Sequence, residues 1–144
     1  MFTSNHDENS WAGTEFERMG DAAKVMAVLT FTLPNGQPLI YTGQEMGWNK
    51  RFEFFEKDHI PAWENNEYTE FYKEMIALRH NNAALAAGER GGKIEYIEDV
   101  PQGVFAFKRA VEGNTVTVYA NLTKEAVSFN NINLAAWGWN IITK

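Results

Sequence analysis

The 144 residues carry 13 Lys and Arg against 19 Asp and Glu, a net charge of -6, with 44% hydrophobic and 14% aromatic residues and no cysteine. That composition supplies a core and excludes a disordered chain, a disulfide framework, zinc–thiolate sites and thiol catalysis. No basic stripe exists for a nucleic-acid backbone and no apolar run approaches the roughly 18 residues of a membrane helix, so neither is expected as a partner.

The charge is uneven. Through Gly88 there are seven Lys and Arg against thirteen Asp and Glu, and from Glu89 onward six against six. An acidic first part rich in Trp, Tyr and Phe suits neutral polar ligands, sugars among them. In chain order, Met1 to Thr3 is a short apolar start that runs into Ser4-Asn5-His6-Asp7. It reads as the carboxyl end of a strand whose beginning lies ahead of Met1. The start has no signal-peptide pattern, and with a segment expected upstream the compartment stays open.

Thr14 and Glu17 have the spacing of a capping box, and Met19, Ala22, Ala23, Met26 and Leu29 recur at intervals of three and four. They predict one helix over about residues 15–33, closed by Pro34-Asn35-Gly36-Gln37-Pro38. Leu39 to Thr42 is a short apolar run before Gly43, which predicts a buried strand. Strand, helix, strand is the rhythm of a parallel α/β sheet. Residues 43–66 form a long aromatic-rich loop, the kind that serves as a binding wall or lid. A helix over about residues 67–80 follows, with Tyr68, Phe71, Tyr72, Met75, Ile76 and Leu78 as its stripe.

After Gly88 the pattern changes. Residues 93–98, 104–110 and 115–122 are β-rich and separated by tight turns, which predicts antiparallel hairpins. Residues 126–130 are a candidate fourth strand, and 134–142 are apolar without a clear period. The fold expected is α/β plus all-β, with an α/β part over 1–88 and an all-β part over 89–144.

Two segments can carry chemistry. Asn5, His6 and Asp7 follow a strand end, where parallel sheets place reactive groups; His exchanges protons near neutral pH and Asp grips hydroxyls. The plain alternative is a polar strand-to-helix turn. A metal-dependent phosphohydrolase needs further ligands beyond His6 and Asp7, and only His59 and His80 remain. Gln44 and Glu45 stand at the mouth of the next strand. For Glu45 a structural role, pairing with an Arg or accepting backbone hydrogen bonds, is expected. Most loop aromatics are expected to pin the loop, with Trp48 the ligand-facing exception. Arg79 suits the helix dipole, His59 and His80 suit the surface, and Asn121-Leu122-Thr123 fits a glycosylation sequon.

Phe2-x-x-Asn5-His6-Asp7 resembles the signature at the end of the seventh barrel strand in the α-amylase family of glycoside hydrolases. Gly36-x-Pro38-x-Ile40-Tyr41-x-Gly43-Gln44-Glu45 resembles that family's eighth-strand signature. Phe71-Tyr72-Lys73 through Ile76-Ala77-Leu78-Arg79, then Asn82-Ala83-Ala84-Leu85, resembles its last barrel helix and exit, and the hairpins resemble the β-sandwich that trails the barrel.

The resemblance implies the C-terminal part of a (β/α)8 TIM barrel and a partial antiparallel β-sandwich, acting on starch or related α-glucans by a retaining mechanism. Asp7 would be the transition-state stabiliser, with His6, Asn5 and Trp48 as substrate-binding residues. The family's nucleophile and acid/base lie on its fourth and fifth strands, which have no counterpart here, so the chain alone is expected to be inactive. It is expected to need no cofactor, although calcium is possible in a parent enzyme. Exposed barrel edges imply an oligomer. The alternatives are a non-catalytic carbohydrate- or protein-binding member and a transglycosylase or isomerase of the same family.

Overall fold

The computed structural model describes residues 1–144. Thr14 opens α1 (Glu15–Met19): its hydroxyl accepts the Glu17 amide while the Glu17 carboxylate accepts the Thr14 amide, as the spacing predicts. The single long helix divides in two. Gly20, at φ 53°, leaves the helical basin, a 3-10 turn follows over Gly20–Ala22, and α2 runs over Ala23–Thr32. Glycine is the residue that takes up such a dihedral most easily and favours helix least, apart from proline.

Two faces of α2 are buried, not the one predicted. Val25 and Leu29 pack towards a sheet, while Ala27, Val28 and Phe31 pack against α3 (Glu67–Asn81). A helix enclosed between layers loses the polar face that a surface helix shows.

Residues 37–41 form no sheet strand, Thr42 already enters a turn, and Leu39 remains 48% exposed, which corrects the buried strand expected there. The Met1 amine donates to the Gln37 carbonyl (2.7 Å), and the Leu39 amide donates to the Met1 carbonyl (2.9 Å). One residue bonding on both sides of Pro38 is the slanted pattern of a parallel pair. The two segments thus run side by side in the direction a barrel requires. With no further neighbour on either side, the ladder ends after these two bonds.

Helix α3 begins where predicted, with the Asn66 side chain accepting the amides of Tyr68 and Thr69. Phe71, Tyr72 and Met75 are buried, whereas Ile76 is 41% exposed and leaves the predicted stripe. Arg79 is more than a dipole partner: its guanidinium donates to the carbonyls of Phe31 (2.8 Å) and Gly36 (2.6 Å), tying α3 to the exit of α2.

The antiparallel sheet has strand order β1-β2-β3-β6, from β1 (Ile94–Tyr96), β2 (Val104–Val111), β3 (Asn114–Asn121) and β6 (Trp139–Thr143). Its alternation sorts side chains to two faces. Phe107, Val116, Val118 and Ala120 join Val25, Leu29, Ala84 and Leu85 in one core, so the sheet and the helices are inseparable in packing. On the other face, Val104 and Ala106 pack with Leu134 of a small hairpin, β4 (Val127–Phe129) and β5 (Ile132–Leu134). Asn130 and Asn131 form its two-residue turn with φ of 45° and 63°, the pair of left-handed residues that such hairpins need. The aperiodic apolar tract 134–142 proves to hold the end of β5 and the start of the edge strand β6. Asn121 is fully buried and its amide donates to the carbonyls of Glu125 (2.7 Å) and Ala135 (2.8 Å), so the sequon is an internal clamp and not a glycan site.

Candidate functional site

Asn5 precedes, and His6 and Asp7 begin, the short helical segment that leaves the first extended segment and continues as a π-helix over Glu8–Ala12. The Asn5 carboxamide accepts the Glu8 amide (2.7 Å) and closes the turn. The side chains of His6 and Asp7 are 68% and 59% exposed, with His6 Nε2 3.5 Å from Asp7 Oδ2. Both point to solvent with hydrogen-bonding capacity to spare, the condition a hydroxyl-binding pair requires.

Beneath them is a buried polar cluster that the sequence reading missed. Thr3 donates its hydroxyl to Glu15 Oε2 (2.9 Å), and the Gln44 amide nitrogen lies within reach of Glu15, Thr3 (2.8 Å) and Tyr72 (3.1 Å). Its two hydrogens serve two of these at a time. Arg18 donates to the Thr3 carbonyl and to the Gly13 carbonyl (3.0 Å). The cluster joins both extended segments, α1 and α3 directly behind the Asn5–Asp7 turn.

Burial raises the Glu15 carboxyl above its ordinary value, against the lowering effect of Thr3, Gln44 and Arg18. Burial, and then the Glu15 charge, raises the Tyr72 phenol. The sequence signal for Glu15 was its place at the first position of α1, where acidic residues usually face solvent. Only the packing of Thr3 and Gln44 over it shows otherwise.

Gln44 therefore turns inward, away from the site mouth where it was expected. Glu45 neither pairs with an arginine nor accepts a backbone amide through its carboxylate. Its backbone carbonyl accepts the Thr69 hydroxyl (2.8 Å) and does the fixing. The 3-10 turn Gln44–Met46 is flanked by Gly43 and Gly47 at φ of 89° and 66°. A side chain on Gly43 would meet Trp48 Cβ at 2.9 Å, and one on Gly47 would meet Tyr68 Cδ2 at 2.5 Å, so glycine is required at both. Trp48 and Ile60 both lie over Gly43, and the Trp48 indole N–H is buried without an acceptor. The Trp48 ring is thus seated on its own loop.

The long loop is anchored at several points. Asn9 bonds the Lys50 carbonyl (3.1 Å) and the Phe52 amide (2.7 Å), and Ser10 bonds the Phe52 carbonyl (2.8 Å). Asp58 holds Lys50 (2.6 Å) and accepts the amides of Glu53 (3.1 Å) and His59 (2.8 Å), which draws its carboxyl down to about 2, Lys50 being the largest cause. Arg51 and then the Thr14 amide draw the Glu17 carboxyl down to about 2.

Not every loop aromatic pins the loop as expected: Phe55 is 81%, Trp63 60% and Phe54 38% exposed. Phe54 lies 6.0 Å from the His6 ring and 5.1 Å from Trp11, a residue the sequence reading passed over. His59 and His80 are exposed and belong to no cluster, and no group of three or more His, Asp or Glu converges as cation ligands would.

Parallel extended segments with helices behind them and a trailing antiparallel sheet have the arrangement of a sector of a (β/α) barrel. No family model matches the chain. It is 33% identical over 129 residues to α-amylase MalA of Haloarcula japonica, covering 87% of this chain and 18% of that protein. It is 34% identical over 107 residues to neopullulanase 2 of Thermoactinomyces vulgaris, covering 71% of this chain and 18% of that protein. Among solved structures, maltogenic amylase from S. marinus superposes with a TM-score of 0.73 at 21% identity, over 97% of this chain and 21% of the other, a likeness of fold.

The chain belongs to the α-amylase family of glycoside hydrolases, and it spans about a fifth of the length of the curated relatives it matches, 18% in each case. Its fold is the C-terminal part of the family's barrel with a partial antiparallel sandwich. No helix is long and apolar enough to cross a membrane.

Proposed function

We propose that this chain supplies the hydroxyl-binding face of an enzyme that cleaves α-glucosidic bonds in starch or related α-glucans by a retaining mechanism. The observation that carries the reading is the exposed His6–Asp7 pair on a turn closed by Asn5, at the carboxyl end of a parallel segment. Asp7 accepts hydrogen bonds from two hydroxyls of the sugar next to the scissile bond, and His6 binds the same ring. These bonds strengthen as the oxocarbenium-like transition state develops positive charge, so Asp7 raises kcat and moves no proton. The names of the two curated relatives, an α-amylase and a neopullulanase, support an α-glucan substrate. The nucleophile and the acid/base belong to strands that this chain does not contain. The change from helices to antiparallel strands supports a division near Gly88, with a shared core joining the two parts.

Met1, Phe2 and Leu39 are 40%, 47% and 48% exposed, and a cavity of about 440 Å³ beside Met1 and Phe2 is lined by Met19, Met26 and Leu29. In isolation the chain covers this face by self-association.

A chimera in which this chain replaces the matching stretch of the Haloarcula japonica α-amylase tests the catalytic role. Asp7→Asn is expected to lower kcat by about 100-fold or more, with KM changed far less. An equal effect on kcat and KM would refute the assignment. The 144-residue chain alone should release no reducing sugar from starch, and release abolished by Asp7→Asn would refute the division of labour.

A further inference from the structure

Arg18 stands in the last turn of α1, where a cation ordinarily serves the helix dipole. Its guanidinium instead reaches back along the chain to three groups that precede the helix. Nη2 donates to the Thr3 carbonyl, Nε donates to the Gly13 carbonyl (3.0 Å), and Nη1 lies 3.7 Å from Glu8 Oε2. Thr3 and Gly13 bracket the segment that carries His6 and Asp7, and Glu8 follows Asp7 directly. One side chain thus holds the entry, the middle and the exit of that segment.

The ends of this grip are themselves fixed. The Thr3 hydroxyl is held by Glu15 (2.9 Å) and Gln44 (2.8 Å). Helix α1 is tied to the long loop, where Thr14 bonds Asn49 (2.6 Å) and Glu17 holds Arg51 (2.8 Å). Within the segment the Gly13 amide donates to the Glu8 carbonyl (2.9 Å), the wide i to i+5 winding of a π-helix, which is rare and which an anchor at both ends supports. A planar fork with fixed N–H directions meets two carbonyls and a carboxylate at once, as a single ammonium does not.

The Asp7 side chain has no comparable support. It is 59% exposed and pairs with His6 alone (3.5 Å), so the backbone beneath it decides where its carboxylate stands. For a group that stabilises a transition state, a displacement of about 1 Å costs about 100-fold in rate.

We propose that Arg18 is a positioning residue for α-glucoside cleavage: by holding Thr3, Glu8 and Gly13 together, it fixes where Asp7 meets the sugar. The proposal rests on the transition-state reading of Asp7, because Arg18 acts through that carboxylate.

Two measurements test it. In the chimera with the Haloarcula japonica α-amylase, Arg18→Met should lower kcat about 10- to 100-fold with KM changed far less. Arg18→Lys, which keeps the charge should Arg18→Met fail to fold, should show the same loss in smaller degree. Combining Arg18→Met with Asp7→Asn should be no slower than Asp7→Asn alone, and losses that multiply would overturn the proposal. In the 144-residue chain, Arg18→Met should raise amide exchange of residues 5–13 about ten-fold and leave α3 unchanged. Exchange that rises equally in both makes Arg18 a general contributor to stability and overturns the proposal, as does exchange that changes in neither. Loss of kcat in Asp7→Asn with none in Arg18→Met overturns the positioning role and leaves the Asp7 reading standing. An intact kcat in Asp7→Asn overturns that reading, and with it the role given to Arg18, even where the segment loosens.

Discussion

Replacing Arg109 by Met removes the one side chain that ties the sheet to both the end of α2 and the exit of α3. Arg109 stands in β2 and is only 1% exposed. Its Nε donates to the Gly92 carbonyl (2.8 Å), Nη1 to Thr32 (2.9 Å) and Leu33 (3.3 Å), and Nη2 to Ala86 (2.9 Å). No carboxylate pairs with it. The carbonyl end of α2 supplies the compensating negative partial charge. Burial, with Arg79 a lesser cause, lowers the Arg109 pKa.

The three short charge-assisted bonds contribute about 1.5 kcal/mol each, some 4–5 kcal/mol together. Relief from burying a charge offsets part of this, which leaves a loss of about 2–4 kcal/mol for Arg109→Met. Urea unfolding followed by far-UV circular dichroism should show the midpoint falling by roughly 1 M or more, given slopes of about 1–3 kcal/mol/M. Arg109→Lys keeps the charge, but one ammonium cannot span four carbonyls, and it should recover less than half of the loss. An unfolding free energy for Arg109→Met within about 0.5 kcal/mol of the parent would refute the claim that this guanidinium joins the two parts.

Glu15→Gln should stabilise the chain at neutral pH and not below about pH 4, because the folded carboxyl is raised and its ionisation in the fold opposes folding above that value; melting temperature against pH for both proteins decides it. The loop clamps have the opposite sign. Glu17 and Asp58, both lowered to about 2 from ordinary values of 4.5 and 3.8, contribute fully above those values and lose their effect as pH falls towards 2. Amide protection in residues 50–59, taken relative to the intrinsic exchange rate at each pH, should therefore fall as pH drops across that window, and protection that stays flat would count against the clamp. Light scattering at increasing concentration should show self-association that Phe2→Lys or Leu39→Lys reduces, and a monomer throughout would contradict the edge-covering proposal.

Local chemistry was legible in the sequence wherever it acts within a few residues. The Thr14–Glu17 capping box, the bounds of α3 and the hairpin β2–β3 all follow from spacing, because their hydrogen bonds close over short stretches of chain. The two ordered motifs were legible for the same reason, and they pointed to the family. Tertiary structure decided what depends on partners distant in sequence. It buried Glu15 by placing Thr3 and Gln44 over it, turned Arg109 into a hub by bringing Thr32, Ala86 and Gly92 around one strand, and gathered His6 and Trp11 from a short helical segment beside Phe54 of the long loop. Periodicity cannot register such encounters: burial and hydrogen-bond satisfaction are properties of the packed whole, and the same carboxylate on the same short helix would be an ordinary surface group if Gln44 faced outward.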